Sequence, residues 1–151
     1  MNSVVPAEIE AETLPVARHD PAVAARRIKE MALGLGFDLV GIARAEALVD
    51  ERARLEEWLD RGFHGEMRWM ERDPAKRGDP RELLPGARSV VAMALNYFRP
   101  EPHGDDVDKG KISRYAWGDD YHDVVGQKLR QLLDAVKAEF PGTEGKVCAD
   151  I

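Results

Sequence analysis

The sequence predicts an α/β fold in which helices flank a layered sheet. In three stretches the apolar residues recur at intervals of three and four, as they do on the buried face of an amphipathic helix. Short apolar runs, of the kind that form strands buried in a sheet, alternate with these stretches along the chain. This alternation of helix and strand is typical of an α/β layer, and 151 residues suit a single domain.

The first helix is predicted to begin at Asp20-Pro21, because aspartate is a favoured N-cap residue and proline a favoured first helical residue. Two glycines end it, and Leu39–Ala43 follows as the first strand. Residues 1–19 contain two prolines and no clean helical period, so we expect a mobile tail there. The apolar face of the helix is formed by Ala24, Ile28, Met31 and Leu35.

A second helix is predicted from Leu48 to Gly62, on the spacing of its leucines and Trp58. The stretch from there to Arg88 is rich in glycine, proline and arginine, and we expect short helices and loops in it. Ser89–Tyr97 is nearly continuous in apolar residues and is predicted to be a strand buried on both faces. A polar loop, Pro100–Gly110, follows it.

The third helix is expected after Asp119 or Asp120, either of which can cap it, and an extended segment, Lys111–Trp117, is expected before it. Pro141-Gly142 ends the helix, and a further strand begins at Lys146. The sequence stops within that strand, from which we expect a fragment or a truncated product. The apolar face of the third helix comprises Tyr121, Val125, Leu129, Leu132, Val136 and Phe140.

Composition argues against several classes of protein. No run of about 18 apolar residues is present, and the acidic N-terminus lacks the features of a secretory signal. We therefore expect a cytoplasmic protein with no membrane partner, and a monomer. Cys148 is the only cysteine, so this chain cannot by itself hold a [4Fe–4S] cluster, which normally takes four thiolates.

The net charge of −6 disfavours non-specific binding of nucleic acid, which depends on clustered lysine and arginine. Residues 61–99 are an exception, with 8 basic and 5 acidic residues. Their cations suit phosphate or carboxylate recognition. A solvated helix face, with Trp69 and Met70 in the core, is the simpler interpretation. The basic residues at issue are Arg68, Arg72, Lys76, Arg77 and Arg81.

Two further sets of residues could carry chemistry. The run from Ser113 to His122 combines hydroxyl, guanidinium, carboxylate and imidazole groups, which suit proton transfer or, more simply, helix capping and packing. Asp150 is a carboxyl group in an apolar strand, where burial would raise its pKa and allow it to donate a proton. The loop around His103 lacks the glycine and distal glutamate of an EF-hand, so no metal site is predicted.

Five runs occur in the same order as in epoxyqueuosine reductases: HGEMRWM, LLPGARSV, NYF, RYAWGDDYH and the terminal ADI. Together they span roughly residues 22–151. The chain resembles the N-terminal part of this family of cobalamin-dependent enzymes of queuosine biosynthesis.

The resemblance implies that residues 20–151 form the N-terminal part of a cobalamin-binding α/β domain related to reductive dehalogenases, incomplete at its C-terminus. It implies reduction of the epoxide of epoxyqueuosine, at the wobble position of tRNA, to queuosine. It also implies cobalamin, a tRNA partner, and two [4Fe–4S] clusters held by a domain absent from this chain. The chain alone is therefore expected to be inactive.

Five residues take roles from the resemblance. Asp150 corresponds to the aspartate that gives a proton to the opening epoxide oxygen. Arg77 and Ser113 correspond to residues that contact cobalamin, and Tyr121 and His122 lie in a run expected near the cofactor or the flipped base.

Two alternatives remain open at this point. One is a non-catalytic corrinoid- or tRNA-interaction module from a truncated gene, and the other is a cofactor-free α/β domain that shares only the fold. Tyr115, Trp117 and Tyr121 are equally suited to stacking on a splayed base or to packing in the core.

Overall fold

The structure, a computed structural model, describes residues 20–105 and 107–149. The expected mobile tail, 1–19, lies outside the described residues, as do Asp106, Asp150 and Ile151. The elements are α1 (Pro21–Gly34), β1 (Leu39–Arg44), α2 (Val49–Asp60), α3 (Pro74–Gly78), β2 (Ser89–Ala94) and α4 (Tyr121–Glu139).

Both long helices begin at the aspartates that the sequence favours. Asp20 accepts a hydrogen bond from Ala22 N at 2.8 Å, and Asp120 accepts one from His122 N at 2.9 Å. Each side chain satisfies an N–H group that has no partner within its helix. The predicted helix starts are therefore confirmed, with Asp120 rather than Asp119 as the second cap.

The hydrophobic core lies between α1 and α4. The predicted apolar face of α1 packs against it, and the predicted face of α4 supplies most of its buried residues, although Tyr121 is 41% exposed. The buried core residues are Ala32, Phe37, Leu129, Leu132, Val136 and Phe140. None of the described helices is long and apolar enough to cross a bilayer.

The two strands pair antiparallel, with Leu39 opposite Ala94 and Arg44 opposite Ser89. The prediction that β2 is buried on both faces is wrong, because partly buried and exposed residues alternate along much of it. β1, predicted to be a buried strand, shows a similar alternation. In the described part of the chain the sheet has two strands, and the face that carries Val40 and Met93 is the one that meets the core. The coarse prediction, an α/β fold with flanking helices, is confirmed.

The second strand ends at Ala94, three residues earlier than predicted. Asn96 N donates to the side-chain carboxylate of Asp38, at 2.6 Å, so a side chain has taken the place of a backbone partner there. From this point the chain leaves the sheet and begins the long loop that leads to α4.

Between α2 and β2 the chain forms short helices and turns, as predicted, including two 3-10 turns at Arg68–Glu71 and Pro80–Glu82. The extended segment predicted over Lys111–Trp117 is wrong, because Arg114–Ala116 is also a 3-10 turn. Its N–H groups find partners locally: Ala116 N bonds to Ser113 O and Trp117 N to Arg114 O.

The strand predicted from Lys146 is not formed within the described residues, which end at Ala149. Val147 and Ala149 nevertheless pack against the core. A strand needs a neighbouring strand to bond to, and no described strand pairs with this segment.

Lys128 ties α4 to the end of α1, because its Nζ donates to the carbonyl oxygen of Leu35. We expect Lys128→Met to lower the free energy of unfolding by about 1–3 kcal/mol, since a partly buried carbonyl loses a charged donor. Urea denaturation measures the loss. Lys29→Met, which changes an exposed lysine of α1, should cost less than about 0.5 kcal/mol, and equal losses would contradict the prediction.

Candidate functional site

The predicted site residues that the structure describes lie in two places. Ser113, Tyr121 and His122 are close to the beginning of α4, whereas Arg77 is in α3. Asp150 lies outside the described residues.

His122 is oriented by the residue that caps its own helix. Its Nδ1 lies 2.8 Å from Asp120 Oδ1, and its ring stacks on that of Tyr121 with centroids 4.0 Å apart. In a neutral imidazole this contact favours the hydrogen on Nδ1 and leaves Nε2 as an acceptor. About half of the His122 side chain is exposed, so the imidazole can meet a ligand at the surface.

The backbone N–H of His122, and then its imidazole, lower the pKa of Asp120. A carboxyl group whose pKa is lower in the folded state adds stability above its unfolded pKa, and that stability is lost as the pH falls through the folded pKa. We expect Asp120→Ala to lower the melting temperature at about pH 7, and the difference from the parent to shrink below about pH 4. Circular dichroism melts at the two pH values measure this. Asp119→Ala, which leaves the cap intact, is the control, and a pH-independent loss in Asp120→Ala would contradict the prediction.

Ser113 precedes the turn at Arg114–Ala116 and is exposed. Its carbonyl accepts from Ala116 N, while its side chain makes no capping hydrogen bond. The hydroxyl is therefore at the surface and not committed to the turn.

An aromatic cluster packs the loop that precedes Ser113 against the 3-10 turn that leads to α4. Arg114 lies 5.2 Å from the ring centroid of Phe98 and 5.9 Å from that of Trp117, and it donates to the Arg99 carbonyl at 2.7 Å. The Trp117 indole in turn packs edge-on against His103 at 4.8 Å. Sequence reasoning did not assign Phe98 or His103 to this cluster, and the NYF run was the signal that could have indicated it.

Arg77 sits against the HGEMRWM run. Its guanidinium lies 5.5 Å from the ring centroid of Trp69, and its Nη2 donates to the Trp69 carbonyl at 3.2 Å. Within the same run, His64 Nε2 pairs with Glu71 at 2.7 Å, and the side chain of His64 is largely buried. Trp69 is 51% exposed, so the interpretation that places it in the core is wrong.

Two of the other predicted phosphate-binding cations have partners within the chain. Lys76 pairs with Asp73 at 2.9 Å, and Arg81 pairs with Asp79 at 2.7 Å. Arg81 holds the pKa of Asp79 down at about 2. These pairs reduce the net positive charge that α3 offers to an anion.

Arg77 lies near the start of β2. The next residue, Gly78, accepts through its carbonyl from Leu48 N at 2.8 Å, and Leu48 follows the end of β1. Because β1 and β2 are antiparallel, the end of β1 adjoins the start of β2.

The group at the start of α4 lies toward the other end of β2. Lys128 bonds to Leu35, just before β1, and Tyr121 is about two helical turns further toward the N-terminus of α4. Arg77 is therefore placed beside the start of β2, and Tyr121 toward its end. Both line one open groove of about 1370 Å³, which runs beside β2.

Comparison with known proteins identifies the family. The model described as "Epoxyqueuosine reductase QueG, DUF1730" matches residues 77–151. An epoxyqueuosine reductase of Leadbetterella byssophila is 44% identical over 125 residues, which are 83% of this chain and 41% of the relative. One of Gloeobacter violaceus is 46% identical over 132 residues, 85% of this chain and 40% of the relative. The chain belongs to the epoxyqueuosine reductase family.

Solved epoxyqueuosine reductases share the fold. One, described as a complex with an epoxyqueuosine-modified tRNA-Tyr stem loop, is 32% identical, with a TM-score of 0.68 over 78% of this chain and 32% of that chain. The Bacillus subtilis enzyme is 31% identical, with a TM-score of 0.68 over 80% of this chain and 33% of that chain. The chain thus spans about 40% of the length of the curated epoxyqueuosine reductases it matches.

Proposed function

We propose that this chain is the N-terminal part of a tRNA epoxyqueuosine reductase, which reduces the epoxide of epoxyqueuosine in tRNA to give queuosine. The observation that carries the proposal is the match, in sequence and in fold, of about four fifths of the chain to proteins of that name. The neighbour described with a modified tRNA stem loop supports tRNA as the partner. A cytoplasmic location and a monomeric state stay predictions.

The residues near the start of α4 carry polar side chains of the kind that can bind cobalamin. The Ser113 hydroxyl, the Tyr121 phenol and the His122 imidazole are all at the surface, where they can bond to the polar groups around a corrin ring. Cobalamin, when bound, supplies the electron chemistry of the reaction. The His122 imidazole, oriented by Asp120, would meet the cofactor or the substrate at the surface. The relation of this domain to reductive dehalogenases stays a prediction.

This chain does not have enough cysteines to bind a [4Fe–4S] cluster. Cys148 is its only cysteine, and four thiolates are normally needed for each [4Fe–4S] cluster. We propose that the cluster ligands belong to the part of epoxyqueuosine reductases that this chain does not match.

Asp150 is the proposed proton donor. The sequence predicts an apolar strand around it, and burial there would favour the neutral, proton-donating form of the carboxyl group. The Bacillus subtilis structure is described with an aspartate-bearing catalytic loop swung out of the active site, which supports an aspartate in this role.

Arg77 lies apart from the other proposed cofactor contacts, near the other end of β2 from Tyr121, and lines the same groove. If it holds cobalamin, it would bind a different part of the cofactor from Ser113 and Tyr121. Arg77→Ala would then weaken binding of hydroxocobalamin, measured by absorbance titration. Arg72→Ala, in the same basic stretch, is the control. If both variants bind hydroxocobalamin with equal affinity, Arg77 is not part of the cofactor site.

The test is a chimera in which this chain replaces the matching 40% of the Gloeobacter violaceus relative. Incubated anaerobically with cobalamin, a reductant and tRNA that carries epoxyqueuosine, it should form queuosine, detected by mass spectrometry of the digested nucleosides. A folded, cobalamin-loaded chimera without product would overturn the proposal. Binding of cobalamin or tRNA without product would instead favour the non-catalytic module.

A further inference from the structure

Arg114 joins the chain that leaves β2 to the turn that leads into α4. Its guanidinium lies 5.2 Å from the ring centroid of Phe98 and 5.9 Å from that of Trp117. Its Nη1 also donates to the Arg99 carbonyl at 2.7 Å, across 15 residues of sequence. We call Phe98, Arg99, Arg114 and Trp117 the arginine clasp. Because its two sides are distant in sequence, the clasp closes the loop between them.

The guanidinium of Arg114 serves geometry and not an ion pair. Arg114 is half-buried, although most residues around it in the sequence are exposed. Its partners among the described residues are two rings and a carbonyl, and no carboxylate. A planar guanidinium can lie against aromatic rings and donate hydrogen bonds in its own plane, whereas the ammonium of lysine is a compact point charge. The clasp therefore depends on arginine at this position, and not simply on a positive charge.

The Phe98 side of the clasp is fixed to the sheet by hydrogen bonds. Asp38, which precedes β1, donates from its N–H to the Ala94 carbonyl at 2.9 Å and accepts from Asn96 N at 2.6 Å. Phe98 N in turn donates to the side-chain oxygen of Asn96 at 2.9 Å. These bonds set the direction in which the chain leaves β2. The Phe98 ring consequently has a defined place, although the residue is 63% exposed.

The other side of the clasp adjoins two of the proposed cofactor contacts. Ser113 immediately precedes Arg114, and Tyr121 begins α4 four residues after Trp117. The Trp117 indole N–H donates to the Ile112 carbonyl at 2.9 Å, which closes the turn just after Ser113. A displacement of the Arg114 side chain would therefore move Ser113 relative to the end of β2.

We infer that Arg114 is a positioning residue for the cofactor site: by joining Phe98 to Trp117, it holds Ser113 and the start of α4 in place beside the chain that leaves β2. The inference rests on the proposed function, because the site that the clasp positions is the proposed cobalamin site. Arg114 acts through the turn and does not itself contact the cofactor. A site that is ordered before binding has a smaller conformational entropy cost to meet, so loss of the clasp weakens binding.

Arg114→Lys tests the inference, because it keeps the charge and removes the planar guanidinium. In the chimera described above, it should raise the Kd for hydroxocobalamin by about tenfold, measured by absorbance titration. In the isolated chain without cofactor, it should increase the mobility of the Ser113 amide, measured by ¹⁵N relaxation. The matched control is Arg61→Lys, since Arg61 also lies over a ring, that of Phe63 at 5.7 Å, but outside the clasp. It should change neither quantity.

The stability of the isolated chain separates positioning from a general structural role. The clasp lies outside the hydrophobic core, so Arg114→Lys should change the free energy of unfolding in urea no more than Arg61→Lys does. A large loss of stability, with Ser113 as rigid as in the parent, would assign Arg114 to the stability of the fold and overturn the inference.

A double-mutant cycle separates positioning from direct contact with the cofactor. Phe98→Leu removes one ring that Arg114 lies against and should by itself raise the Kd for hydroxocobalamin. If the clasp acts as a unit, the variant that carries both changes should bind about as weakly as Arg114→Lys alone. Fully additive losses would show that Arg114 binds the cofactor directly, which contradicts the inference.

Failure of the inference can be distinguished from failure of the proposed function. If the parental chimera binds hydroxocobalamin and Arg114→Lys binds it equally well, the inference alone is wrong. If the parental chimera folds and does not bind hydroxocobalamin, the proposed cofactor site is wrong and the inference fails with it.

Discussion

Asp150→Asn is expected to reduce the rate of epoxide opening in the chimera by about 10²–10⁴-fold, the usual contribution of a general acid. Asparagine keeps the size and polarity of the side chain but has no acidic proton to give. Single-turnover formation of queuosine, with the cofactor preloaded, measures the chemical step without the contribution of cofactor binding.

Asp134→Asn is the matched control, because Asp134 is an exposed aspartate on α4 and the change removes the same charge. This variant should retain the parental rate, and both variants should bind hydroxocobalamin equally. If the Asp150→Asn enzyme forms queuosine as fast as the Asp134→Asn enzyme, Asp150 is not the proton donor. The family assignment would not be affected.

Leu132→Ala is expected to lower the free energy of unfolding by about 2–5 kcal/mol, the range for truncating a buried leucine. Leu132 is 5% exposed and lies in the core between α1 and α4, where its loss leaves a cavity. Urea denaturation of the isolated chain measures the change. In a small domain this loss is a large fraction of the total stability.

Leu33→Ala makes the same chemical change on α1, at a side chain that is 51% exposed. It should cost well under 1 kcal/mol by the usual behaviour of surface substitutions, so ~1 kcal/mol is the upper bound for the control. Similar losses in the two variants would show that the core is not where the structure places it.

The sequence predicts the helices better than the strands because their signals are local. Asp20 and Asp120 cap helices by bonding to N–H groups two residues away, and such pairs can be recognised without any knowledge of the fold. A strand depends on a partner that is distant in sequence. The second strand ends early because Asp38 bonds to Asn96, and nothing near Asn96 in the sequence indicates this.

The candidate site was predictable in part for the same reason. Tyr121 and His122 are adjacent in sequence, and both lie at the N-terminus of one helix. The separation of Arg77 from them is a tertiary property, set by the antiparallel pairing of β1 and β2. The exposure of Trp69 likewise depends on how a short turn packs, and hydrophobicity alone favoured the core.

The loop that carries Ser113 is anchored at both ends by aspartates, Asp38 at its start and Asp120 at its finish. Since these anchors hold its termini, the intervening residues can gain or lose length at low entropic cost without disturbing the sheet or the core. Insertions and deletions should therefore concentrate in residues 100–110 among related enzymes, which would let the approach to the site diversify while the scaffold stays constant.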